Sequence, residues 1–120
     1  MLRTALVCLL SLSAAPALAE GFATITDKSR FLTLVEGREL RIGPLGLSLR
    51  VMPDGRIEGS ALGRQVTGQW QWKSGYFCRE MRWGQREIPY NCQLVEAQGD
   101  SVLRFMVDQG QGDSADFRLR

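Results

Sequence analysis

From Leu40 onward the apolar residues recur at every second position, and turn signals interrupt the run at short intervals. Leu40 and Ile42 flank Arg41. Leu45, Leu47, Leu49 and Val51 alternate with Gly46, Ser48 and Arg50. Val66, Gly68, Trp70 and Trp72 alternate with Thr67, Gln69 and Gln71. Leu103, Phe105 and Val107 alternate with Arg104 and Met106, and Phe117 and Leu119 with Asp116 and Arg118. Successive strand side chains point to opposite faces, so this period predicts strands with one buried and one wet face.

The breaks are turn chemistry: Pro53-Asp54-Gly55, Leu62-Gly63-Arg64, Lys73-Ser74-Gly75, Gly84-Gln85-Arg86, Gln98-Gly99-Asp100 and the Gly-rich stretch from Gly110 to Asp113. Connections this short join antiparallel neighbours. The expectation is an all-β domain, an antiparallel meander of about eight strands. Rolling it into a small closed or partly open barrel hides the strand edges. A two-sheet sandwich is the alternative. One short N-terminal helix precedes the strands. Thr26 or Asp27 can cap its start and Gly37 can end it, while Phe31, Leu34 and Val35 share one face. So short a helix is stable only when packed, and it is placed to plug one barrel end.

Residues 1–19 carry a different pattern. Arg3 gives a positive start, Ala5 to Leu12 an apolar run, and Ala17-Leu18-Ala19 a small-x-small cleavage site. That is the form of a secretory signal peptide, and the apolar run is too short to span a bilayer. The chain then reads as a leader at 1–19 and a single β domain at 20–120, periplasmic or secreted, with no stable membrane insertion. Without Arg3, fourteen Lys and Arg face thirteen Asp and Glu, so no broad field draws nucleic acid.

Cys8 leaves with the leader, and Cys78 and Cys92 remain. Two cysteines in an exported chain most often form one disulfide. If Gly84-Gln85-Arg86 is the loop, Trp83 faces Glu87, Met81 faces Pro89, and Cys78 faces Cys92 across a hairpin. A C-x-x-C redox pair is absent, and zinc would need further ligands in a chain without histidine. Between the cysteines, Tyr76, Arg79, Arg82, Trp83 and Tyr90 cannot all be buried and form the candidate partner surface. Phe77, Met81 and Trp83 share one strand face while Tyr76 and Cys78 lie on the other. Apolar groups on both faces point to local burial or to a bulge that shifts the register.

Chemistry is limited by what the chain lacks. Without His, no Ser-His-Asp or Cys-His arrangement can be built. No phosphate-cradling glycine motif is present, so no cofactor is expected. Glu58, Glu80 and Glu87 are available carboxylates, but no spacing selects a pair. Asp108, Asp113 and Asp116 sit in a Gly-rich loop that calcium could use, although the spacing does not fit an EF-hand and a hairpin turn is the leading reading. Three Trp and five Phe are enough to fill a small barrel, which leaves a lipocalin-like cavity as the secondary reading.

The strings Gly68-Gln69-Trp70-Gln71-Trp72, Gly75-Tyr76-Phe77-Cys78-Arg79, Asn91-Cys92-Gln93-Leu94-Val95 and Gly110 to Phe117 carry a resemblance over most of the mature chain. It resembles a group of short exported bacterial proteins of unestablished function, some of them labelled dihydrodipicolinate reductase. The enzyme of that name is cytosolic, much longer, built on a Rossmann domain and dependent on histidine. None of those features is here, so the resemblance implies export and small size and not reductase activity. Small periplasmic metalloprotease inhibitors are similar in architecture through the Gly68-x-Trp70 strand and the cysteine pair. The function expected is that of an exported, non-enzymatic module binding a protein or small ligand in the periplasm. The alternative is an inhibitor of an exported hydrolase.

Overall fold

The computed structural model describes residues 21–120, so the leader expected at 1–19 lies outside the described residues. The chain runs through β1 (Ala23–Ile25), α1 (Lys28–Val35), β2 (Leu40–Ile42), β3 (Leu47–Val51), β4 (Arg56–Ala61) and β5 (Arg64–Lys73). It continues through β6 (Tyr76–Trp83), β7 (Arg86–Gln98), β8 (Val102–Met106) and β9 (Ser114–Leu119). From β2 to β9 each strand pairs antiparallel with the next, and β9 returns to β2 through Leu40 opposite Leu119. That last pairing closes an eight-stranded barrel and rules out the sandwich. β1 is an additional strand, laid on the C-terminal half of β7 from Ala23 opposite Ala97 to Ile25 opposite Val95.

The turns follow their residues. Leu62-Gly63 and Ser74-Gly75 both take positive φ at two successive positions, the type I′ geometry whose twist suits a tight hairpin. Two expected strand residues are corrected, and the first is Val107, which lies just beyond the end of β8. Leu45 belongs to a single 3-10 turn, Gly43–Leu45, and is exposed; the strand starts at Leu47. Pro44 presets the helical φ and Gly46 leaves the turn with φ 53°, so the alternation cannot run through Leu45. Gly68 is required by space, because a Cβ there would sit 2.7 Å from Met81 Cγ on the neighbouring strand.

α1 is capped by Asp27, whose carboxylate accepts from the Arg30 N–H at 2.7 Å. It buries Phe31, Leu34 and Val35 against one end of the barrel. Phe31 has no exposed surface and meets Trp70, Trp72, Phe77 and Phe105 at centroid distances of 5.5, 5.1, 5.2 and 6.3 Å. The buried Trp70 indole keeps a polar partner by donating to the Met52 carbonyl at 2.8 Å. The helix therefore fills one end of the barrel with rings.

Candidate functional site

The β6–β7 hairpin forms the wall of the other end. Its loop is the two residues Gly84-Gln85, one fewer than the sequence suggested, so Trp83 faces Arg86 and Met81 faces Ile88. On that register Cys78 would meet Asn91. A bulge corrects it: Glu80 lies opposite both Pro89 and Tyr90, after which Arg79 faces Asn91 and Cys78 faces Cys92. Pro89 has no N–H to give the ladder, which suits it to a bulge. The cysteines are bonded to each other as expected, although the pairing at the hairpin tip differs.

Period two now sorts the five residues of the candidate partner surface. Tyr76 and Arg82 lie on the strand face opposite Phe77, together with the buried Cys78, and Tyr90 is exposed beside Cys92. The Tyr90 hydroxyl lies 3.4 Å from Cys92 Sγ, and Lys73 Nζ sits 5.9 Å from the Tyr90 ring. Arg82 forms an exposed ion pair with Glu87 at 3.3 Å. Trp83 and Arg79 belong to the opposite face. Trp83 donates its indole N–H to the Ala61 carbonyl at 2.8 Å, with the Arg64 guanidinium 5.2 Å above its ring. Arg79, between Phe77 and Met81 in the inward register, is only 7% exposed. The five do not form one surface.

Inside the barrel, Arg79 faces a cavity of about 280 Å³. Leu40, Leu49, Val51, Ile57, Met81 and Phe117 line its walls. Phe77 and Phe105 belong both to the cavity and to the ring cluster around Phe31, so they divide the filled end from the open one. No α1 residue reaches the cavity. Arg79 and Gln93 are the two buried polar side chains among the described residues, and both line it.

Arg79 has an incomplete set of partners. Its Nη1 donates to the Pro89 carbonyl in the bulge at 2.7 Å. Among the described residues no carboxylate forms an ion pair with it, although the exposed Asp113 lies on the rim. Burial pushes its pKa down, yet a guanidinium stays charged at neutral pH. No fully buried side-chain nitrogen or oxygen lacks a partner among the described residues. Polar atoms of Arg79 and Gln93 without a protein partner therefore keep some accessible surface, and both residues line the cavity. The sequence held one signal for this site, the alternation Phe77-x-Arg79-x-Met81, which places an arginine in a run of inward residues.

The Gly-rich loop acts differently from the calcium reading. Asn91 Nδ2 donates to Asp108 Oδ1 at 2.8 Å, and the Asp108 N–H donates to Asn91 Oδ1 at 2.9 Å, clasping the loop to β7. Asp116 is held by Arg104 at 2.7 Å, and that hydrogen bond lowers its pKa. Asp108, Asp113 and Asp116 do not converge, and no group of three His, Cys, Asp or Glu suited to a metal ion occurs among the described residues. On the outer wall, Glu39 accepts from Arg41, Ser48 and Arg50, which lowers its pKa to about 2. Among the described residues, no helix is long and apolar enough to cross a membrane. No family model, curated protein or solved structure matches this chain significantly.

Proposed function

We propose that this protein is an exported module that takes a small, largely apolar ligand into one end of its barrel. The observation that carries this reading is the cavity behind Phe77 and Phe105, walled by aliphatic and aromatic side chains. Close packing is the rule in protein interiors, and voids much larger than a water are few. A space of about 280 Å³ is nearly twice the apolar cavity known to admit benzene and suits a ligand of about a dozen non-hydrogen atoms. Export is supported by the leader pattern at 1–19 and by the Cys78–Cys92 disulfide, which persists in oxidising compartments. The lining supports binding rather than turnover, since its titratable side chains, Arg79 and Asp113, form no ion pair with each other.

Decanol is a suitable first probe, because it matches the size and has no charge. At ten times its dissociation constant it should raise the melting temperature by roughly 5–10 °C. Ala115 lies on the exposed rim of the cavity, directly across the ladder from Phe105, and Ala115→Phe would put a ring into the mouth. That variant should fold normally and lose the shift. A melting temperature unmoved by decanol and by decanoate alike would remove the reading.

A further inference from the structure

We infer that the ligand is a monocarboxylate with an apolar body of about ten carbons, its head held by Arg79 and Gln93 and its body laid along Phe105 and Phe117. This rests on the cavity being a binding site, and it names the class of ligand.

A guanidinium offers five N–H donors in a planar fork whose geometry matches a carboxylate. Here one nitrogen is engaged, by the neutral Pro89 carbonyl, and the charge itself has no anionic partner among the described residues. Burying a cation without an anion is unfavourable, and an anion delivered by the ligand would complete it. Gln93 stands opposite Phe77 on the adjoining strand, on the same inward face as Arg79, and adds an amide donor to the head site.

The remainder of the lining excludes other heads. Arg79 is the single cationic side chain lining the cavity among the described residues. One positive charge balances one carboxylate, whereas a phosphate monoester would carry nearly two negative charges into an apolar space. A cationic head would face the guanidinium directly. A neutral head would leave the arginine as incomplete as before. Asp113 is on the rim and solvent-exposed, where its charge is screened, so it does not replace the missing anion.

The test is calorimetric titration of the oxidised mature protein with four ten-carbon probes: decanoate, decanol, decyltrimethylammonium and decyl phosphate. Decanoate should bind at least tenfold more tightly than the other three. Arg79→Met keeps the length and removes the charge. It should weaken decanoate by at least tenfold and leave decanol within threefold. If that variant does not fold, the ranking of the four probes on the wild-type protein decides the matter. Decanol equal to decanoate, with binding abolished by Ala115→Phe, would overturn the carboxylate inference and leave the cavity reading intact. Decyl phosphate or decyltrimethylammonium binding more tightly than decanoate would also overturn it. Failure of all four to bind would overturn both.

Discussion

At one end of the barrel Phe31 sits among Trp70, Trp72, Phe77 and Phe105, at centroid distances between 5.1 and 6.3 Å. At the other end Arg79 looks across about 280 Å³ at Leu49, Val51 and Ile57. The same eight strands wall both ends. One end is filled by a helix brought in for that purpose, and the other keeps open space and a buried cation. The ring cluster has the form that maximises stability. The cavity end has the form that stability alone would remove, since apolar side chains of matching volume would pack there at lower cost. Residues that lower stability where they stand are a mark of function elsewhere in proteins. The difference places the densest packing at the α1 end and, on the proposed reading, the ligand at the Arg79 end.

The comparison can be broken by substitution. Phe31→Ala should have the largest effect, a loss of about 3–5 kcal/mol in denaturant-induced unfolding, because the ring is wholly buried among four others. A loss below about 1 kcal/mol would mean that this end is not the stabilising one. Replacing both cysteines by serine should come next. The chain-entropy treatment gives about 3 kcal/mol for a loop of this length, read from the same unfolding curves. That change also sharpens the comparison. The bond fixes the strand pair that carries Arg79 and Gln93, so decanoate affinity should fall with it.

Arg79→Met should act in the opposite sense. Removing an unpaired buried charge in favour of an apolar chain of similar length should leave stability unchanged or raise it by about 1 kcal/mol. A loss as large as that of Phe31→Ala would make Arg79 a structural residue. Glu39 supplies the smallest effect and belongs to neither end. Its folded pKa of about 2 lies below the ordinary 4.5, so folding favours its charged form. That contribution is complete above about pH 4.5 and is lost as the pH falls towards 2. Thermal melts of Glu39→Gln should show a shallower fall over that window than the wild type. A slope remains, because Asp54 and Asp116 are also lowered by their Arg partners. Glu39 is partly exposed and its Arg41 and Arg50 partners are exposed, so solvent screening should keep the effect small.

Much of the barrel was legible in the sequence. Alternation through Val66 to Trp72 and through Leu103 to Phe105, with glycine turns between, specifies antiparallel strands, and Phe31, Leu34 and Val35 specify the plug. β1 was not legible, since three residues carry no period and its partner lies seventy or more positions along the chain. The site was half legible. The disulfide followed from the cysteine count, but its register rested on a three-residue loop. The true loop is shorter, and the bulge at Pro89-Tyr90 restores the same pairing by another route. Arg79 falls in the candidate partner surface because it, Tyr76, Arg82, Trp83 and Tyr90 cannot all be buried. The pleat places it inward regardless of type, and only the Phe77-x-Arg79-x-Met81 phase recorded that. Residue type and strand phase disagreed at one position, and that position became the centre of the site.

The most direct test of the division between the two ends is an amide ¹H–¹⁵N correlation spectrum of the labelled protein during titration with decanoate. The expected result is progressive shifts at Arg79, Gln93, Ala115 and Phe117, with Ser29 to Leu34 of α1 unmoved. Shifts confined to Tyr76, Arg82 and Tyr90 on the outer face, or spread through α1, would contradict it.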